Sequence, residues 1–271
     1  MRRTLVALTA AASLLIGVAA CGNDSGSESG SDTLTIGVSP VPHGEILKYV
    51  SDELAAAEGL KIEIVEFNDY VQPNTALQDE QLDANYFQHV PYLEEEVASK
   101  GYRFTPLTPV HIEPLGVYSK TVKALTEVPD GAVVAIPNDP SNSGRALNLL
   151  ATNGLITLKD GVGVKATEAD ITGNPKNLRF EALEAAQLPR SLEDTAISVI
   201  NGNYALETGL SPATDALALE TGENNPYANL VVVRTGDETD ERIVKLEKLL
   251  HSPQVKDFIT QKYKGAVVAA F

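Results

Sequence analysis

The sequence has one cysteine and no tryptophan, and it is poor in positive charge. Against 21 lysines and arginines stand 37 aspartates and glutamates, a formal charge of −16 over 271 residues. A lone cysteine excludes an intramolecular disulfide. Without tryptophan, any aromatic wall must be built from tyrosine, phenylalanine or histidine. The acidic balance argues against a nucleic-acid partner, because phosphate binding needs clustered lysine and arginine. It argues equally against direct adhesion to anionic lipid; solubility is the plain use of such a surface. Catalytic signatures are missing too. There is no Gly-x-Ser-x-Gly, no Walker A loop and no His-Glu-x-x-His, and Gly161-Val162-Gly163 lacks the third glycine of a dinucleotide loop. The four histidines, His43, His89, His111 and His251, are widely spaced and form no paired-histidine helix motif, so no metal and no cofactor is expected. Adjacent acids such as Glu94 and Glu95 read as a solvated helix face.

The start of the chain is different. Arg2 and Arg3 supply a positive n-region, and Leu5 to Val18 form an apolar stretch too short to span a bilayer comfortably. It ends in Val18-Ala19-Ala20-Cys21, small residues before a cysteine, which resembles a bacterial lipobox. In that reading residues 1–20 are a lipoprotein signal peptide, and Cys21 carries a lipid that holds the protein on the outer face of the cell membrane. An ordinary secretory signal with a chance cysteine, or a short membrane anchor, are the plainer alternatives. Residues 21–32 continue as GNDSGSESGSD after the cysteine, a run without large apolar residues that reads as a flexible tether. No later stretch is long and apolar enough to cross a membrane.

Beyond the tether, apolar patterning alternates between periods of about two and about 3.6. Leu34–Val38, Lys61–Phe67, Phe104–Val110, Leu115–Tyr118, Ala132–Ile136, Leu178–Leu183, Ala196–Ile200 and Tyr227–Arg234 read as strands. Helical stretches are expected at Gly44–Ala57, Asn74–Gln81, Pro91–Lys100, about Arg145–Thr152, Asp240–Leu250 and Pro253–Tyr263. Strands alternating with helices imply an α/β architecture with mostly parallel sheets. The middle of the chain has its own strand–helix set, so two lobes are expected: residues 33–114 with 228–271, and residues 115–227. A cleft between lobes is a usual place for a small ligand.

Four segments gather polar and aromatic residues at turns after strands, where α/β sheets expose ligand sites. They are Phe67 to Asn74, Asp83 to Tyr92, Ile136 to Arg145, and Val199 to Tyr204 together with Asn225 to Asn229. In the third, Ser141, Asn142 or Ser143 can cap the next helix and leave free N–H groups at its start. Arg145 would then sit in the first turn, where a cation is unfavourable unless an anion joins it. Its guanidinium fork matches a carboxylate. It is expected to clamp a ligand carboxylate, the alternative being a structural ion pair with a nearby acid. Phe87, His89 and Tyr92, with Tyr70, can wall a slot for an apolar side chain, and a thioether packs well on aromatic rings. Core packing is the competing use of these rings. Asn201 and Asn229, at strand ends, are either turn residues or readers of an amino group and a carboxylate, since an amide has both donor and acceptor.

The pieces FNDYVQPN, DANYFQHVPYL, IPNDPSNSGRAL, NPKNL, AAQLPRSLED, VINGNYA and PYAN together resemble the methionine-binding lipoproteins of the MetQ/NlpA family, over nearly the whole chain after the tether. The resemblance implies a two-lobed periplasmic-binding-protein (Venus flytrap) fold, no catalysis, and capture of methionine for delivery to an ABC transporter permease driven by its ATPase. Carried over by position, Tyr70, Phe87, His89 and Tyr92 would surround the ligand side chain, Arg145 would hold its carboxylate, and Asn201 and Asn229 would take its backbone polar groups. Ser141 stands where family members often have threonine. Three rivals stand beside this reading: the same fold with another amino acid or a small methionine-containing peptide as cargo, a lipid-anchored enzyme for which His89 is the sole candidate group, and a surface adhesin.

Overall fold

A computed structural model describes residues 33–222 and 225–271. The signal-like segment, Cys21 and the tether lie outside these residues. In chain order the strands are β1 (Thr33–Val38), β2 (Lys61–Glu66), β3 (Ala84–His89), β4 (Phe104–Ile112), β5 (Gly116–Tyr118), β6 (Val133–Pro137), β7 (Thr157–Leu158), β8 (Ile171–Gly173), β9 (Arg179–Leu183), β10 (Ile197–Ile200), β11 (Ala218–Leu219), β12 (Asn229–Arg234) and β13 (Val268–Ala269). They form a six-stranded sheet in the order β13-β4-β12-β3-β1-β2, a five-stranded sheet in the order β11-β5-β10-β6-β9, and the small pair β7-β8. The chain leaves the first sheet after β4 and returns to it at β12, so the connecting residues 113–115, and on the return 220–222 and 225–228, lie between the sheets in chain order.

Both main sheets are covered by helices on both faces, because their central strands are apolar on both sides. Strand β12 shows the logic at period two. Val231 and Val233 join the core under the helices Glu241–Leu250 and Pro253–Tyr263, with Ile243, Leu246, Val255 and Ile259. Leu230 and Val232 point the other way, onto Leu77, Leu82, Leu93 and Phe104. In the second sheet Ile197 and Val199 pack with Leu147 and Leu150 of the helix Pro140–Thr152, while Ile200 packs on the opposite face with Leu188, Leu192 and Tyr204. Among the described residues no helix is long and apolar enough to cross a membrane.

Three expectations change. The sheets are mixed rather than mostly parallel: β1 pairs parallel with β2 and β3, and β6 with β9 and β10, but β4, β5, β11, β12 and β13 pair antiparallel. Apolar runs mark a strand and its burial but carry no direction. The stretch Gly44–Ala57 is not one α-helix. It is a succession of short π, α and 3-10 turns from Pro40 to Glu58. The helix expected from Arg145 starts five residues earlier, at Pro140. Asp139-Pro140 is a helix start rather than a strand breaker, since proline at the first helical position gives up an N–H that has no partner anyway. Gly144 in this helix lets the chain pass closely. A Cβ there would lie 2.4 Å from the carbonyl oxygen of Val164.

Candidate functional site

The parallel strands of both sheets end towards one small cavity. All seven residues picked out from the sequence line it. Phe87 and His89 come from the end of β3, and Tyr92 from the first turn of the helix Val90–Lys100. Tyr70 sits in the bend before the helix Gln72–Gln78. Asn229 opens β12, paired in register with both His89 of β3 and His111 of β4. From the second sheet come Asn201, directly after β10, and Arg145 from the Pro140 helix. Six further residues line the cavity that sequence reasoning did not select: His43, Gln88, Glu113, Asn142, Gly202 and Asn203. Gly202 is needed for the approach of a connecting segment, because a Cβ there would meet the Glu113 Cβ at 2.7 Å.

The rings form one wall. The Tyr70 centroid lies 6.0 Å from Phe87 and 5.9 Å from Tyr92, and Phe87 and Tyr92 are 5.9 Å apart, edge to face. His89 completes the wall edge-on to Tyr92 at 6.3 Å and to Tyr227 at 4.9 Å. Tyr70 is also a bridge between the two sheets, since its hydroxyl donates to Asn203 Oδ1 at 2.5 Å.

A chain of hydrogen bonds sets the polarity of the opposite wall. Asp139 caps the Pro140 helix, its Oδ1 accepting from the Asn142 backbone N–H at 2.9 Å and from Asn142 Nδ2 at 2.9 Å. The Asn142 carbonyl oxygen therefore faces the other way and accepts from Asn201 Nδ2 at 3.0 Å. His89 Nδ1 accepts from the Tyr92 N–H, so Nε2 carries the hydrogen and donates to the same Asn142 oxygen at 3.3 Å. Asn201 is left presenting Oδ1, a buried acceptor with no partner, and Asn203, whose Oδ1 is taken by Tyr70, is left with Nδ2 as a donor without one. The capping residue expected among Ser141, Asn142 and Ser143 is thus Asp139, one of the shorter-chain acids that cap well. The anion expected at this helix N-terminus is supplied by the protein itself: the Ser141 N–H donates to Glu95 Oε2 at 3.0 Å.

Arg145 is consequently in the second turn rather than the first, and its charge is met from elsewhere. Its Nε donates to both Glu220 oxygens at 3.0 and 3.1 Å, and its Nη2 to Glu220 Oε2 at 2.5 Å and to the Glu113 backbone carbonyl at 2.9 Å. Its guanidinium carbon lies 4.2 Å from the centre of the Tyr227 ring. The structural ion pair and the open clamp coexist. Glu220 occupies the Nε–Nη2 edge, and Nη1 makes no hydrogen bond in a side chain only 4% exposed.

Glu113 is the second buried charge. Its Oε1 lies 2.7 Å from His111 Nε2 and 3.2 Å from His43 Nε2, and His43 Nε2 is 3.0 Å from Asn229 Oδ1. The Tyr86 hydroxyl meets His111 Nδ1. Burial holds both imidazoles neutral, pushing His43 down to about 4 and His111 to about 3. His89 is pushed to about 3 by burial and then by the Arg145 charge. Burial pushes the Glu113 carboxyl up, opposed by the charges of neighbouring groups and by the Asn203 backbone N–H. Among the described residues His43, His111 and Glu113 are the one set of such groups close enough together, within 4.8 Å, to be asked whether they grip a metal. The inward-facing nitrogens are already spent on hydrogen bonds to Glu113 and Asn229, which makes the cluster a holder for a carboxylate.

The family model described as NlpA lipoprotein matches residues 34–271. The chain is 42% identical over 255 residues to the methionine-binding lipoprotein MetQ of Bacillus subtilis (strain 168), covering 93% of each. Among solved structures, a nutrient-binding protein from Burkholderia cenocepacia bound to methionine is 48% identical with a TM-score of 0.84, over 88% of this chain and 100% of that one. A periplasmic substrate-binding protein of an ABC transporter from Coxiella burnetii is 41% identical with a TM-score of 0.83, over 88% and 100%.

Proposed function

From the premise that this chain belongs to the NlpA lipoprotein family, we propose that it is an extracytoplasmic substrate-binding lipoprotein that binds methionine and delivers it to an ABC transporter permease with its ATPase. It acts as a carrier and not as an enzyme. The lipid on Cys21 holds it at the membrane, with residues 21–32 as the tether. Residues 33–114 with 228–271 form one lobe and 115–227 the other, with the cargo between them.

The observation that carries this reading is the division of the cavity into an aromatic wall and a polar wall with free donors and free acceptors. Tyr70, Phe87, His89 and Tyr92 surround the thioether tail, whose sulfur gains from contact with ring edges. Arg145 takes the carboxylate through its unused Nη1, with Asn201 and Asn229 on the backbone polar groups. A small zwitterion leaves neither kind of group in this buried site unpaired, whereas a larger or purely apolar ligand would. Contacts such as Tyr70 to Asn203 and Ser141 to Glu95 draw the two walls together over the ligand.

Thermal-shift screening of the purified protein across the amino acids and short methionine peptides tests this. Methionine at about 100 times its dissociation constant should stabilise the protein by about 2.7 kcal/mol, and it should be recovered unchanged. A larger shift with another compound, or no shift with methionine, overturns the cargo. Turnover of the bound compound overturns the carrier.

A further inference from the structure

We propose that the Tyr70 ring sets an upper limit on the length of the ligand's tail, and that a second cavity behind this ring is the space a longer tail would occupy. The proposal goes beyond the choice of methionine as cargo and rests on the reading of the aromatic wall as the place of the tail.

The first observation is a shared wall. Tyr70 and Tyr92 line the candidate site and also a second cavity next to it. The second cavity is bounded by the bend Asp69–Gln72 on the side of the first sheet. On the side of the second sheet it meets Asn138 and Asp139 after β6, Glu184, Ala185 and Ala186 after β9, and Tyr204 of the helix Gly202–Glu207. Phe87 lines the first cavity and not the second, and Tyr204 the second and not the first. Tyr70 is in ring contact with both, its centre 6.0 Å from Phe87 and 5.1 Å from Tyr204. At this point the partition between the two cavities is one ring thick.

The second observation is how the ring is held. Its hydroxyl donates to Asn203 Oδ1 at 2.5 Å, and its backbone carbonyl accepts from the Tyr92 hydroxyl at 2.9 Å. Asp69 Oδ1 accepts from the N–H groups of Val71 and Gln72, both at 2.8 Å, which fixes the bend that carries the ring. A ring tied at its tip and at its base cannot swing aside without giving up these bonds, so an overlong tail meets it as overpacking. The surface behind the ring names the class of tail that would fit. Tyr92, Tyr204, Ala185 and Ala186 offer apolar contact, whereas Asp69, Asp139 and Glu184 put three acids around the same space. A neutral alkyl extension of the thioether suits that space, and a tail ending in a carboxylate does not. The space opens to solvent where Val71 and Glu184 are exposed, so an extension need not fill it completely.

Calorimetry on the full chain with methionine and its S-butyl homologue, S-butylhomocysteine, tests the partition. The wild type should bind the S-butyl compound at least about 100-fold more weakly than methionine. Tyr70→Ala should weaken methionine by about 10- to 100-fold and bind the S-butyl compound at least about tenfold more tightly than the wild type does. General damage to the site would weaken both ligands, so a gain for the longer one is the signature of an opened partition. Adding Ala186→Phe to Tyr70→Ala fills the second cavity. It should abolish that gain and leave methionine within about threefold of the single variant. A Tyr70→Ala protein that weakens both ligands alike, or a gain that survives Ala186→Phe, overturns the proposal while leaving the methionine reading intact. So does a wild type that binds the two compounds equally. A wild type that ignores methionine overturns both. Tyr70→Val, which keeps a small apolar side chain on the bend, carries the same comparison should Tyr70→Ala not fold.

Discussion

Replacing Arg145 separates two roles that the structure superimposes, one in holding the fold and one in holding cargo. Arg145→Met keeps the bulk of the side chain and removes its ion pair with Glu220, its bond to the Glu113 carbonyl and its place over Tyr227. Breaking a buried pair from one side costs about 3–5 kcal/mol. Glu220 is 17% exposed, so water can reach the stranded carboxylate and the loss belongs near the lower end, about 3 kcal/mol. Glu220→Gln leaves an acceptor for the guanidinium and should cost about 1–2 kcal/mol. Binding divides the two variants differently. Arg145→Met should lose about 2–5 kcal/mol of methionine affinity, about thirtyfold to several thousandfold. Glu220→Gln should stay within about tenfold of wild type, since Nη1 is unaffected. Urea denaturation gives the stabilities and calorimetry the affinities, with the double variant closing the cycle. A folded Arg145→Met protein that binds methionine as the wild type does would refute the clamp. A Glu220→Gln variant that loses binding as completely as Arg145→Met would show that the pair serves only to hold the site together.

His89→Asn keeps a good helix-capping acceptor for the Tyr92 N–H and removes a titrating group. Its folded pKa, pushed to about 3 by burial, lies below the unfolded value, so its share of stability is complete above about pH 6.5 and is lost as pH falls towards 3. Between pH 7.5 and 5 the wild type should lose about 2 kcal/mol through this residue and the variant none of it, read from denaturant midpoints; identical pH slopes would refute the burial of a neutral imidazole. Mass spectrometry of the mature protein should find an acylated Cys21 as its first residue, and Cys21→Ala should leave the protein out of the membrane fraction; a mature chain beginning elsewhere refutes the anchor.

Most of the longer strands were legible because they combine apolar runs with period two, and the helix Pro253–Tyr263 because of its Ser252-Pro253 start; β3 was not, because Asn85, Gln88 and His89 interrupt its apolar run although all six of its residues are buried. Strand direction was not legible, since side-chain pattern is blind to it. The start of the Pro140 helix was obscured by five small polar or cyclic residues that suit a loop and a first turn equally well. In the cavity, aromatic and amide residues announce themselves by sitting after strands. Glu113 and His43 do not. Glu113 lies in a connecting segment among 37 acids, and only tertiary structure brings His111 of β4 and His43 of the Pro40 turn to its side. One local signal was present: the alternation His111-Ile112-Glu113 at the end of a strand puts both polar groups on one face.

Arg145 reaches both segments that run between the sheets, the first at the Glu113 carbonyl and the second at Glu220 and Tyr227. One side chain thus spans the two places where the halves of the molecule are joined. Small changes in either joint must register at the guanidinium, and substitutions well away from the cavity, anywhere along those two ribbons of chain, will be felt as altered affinity.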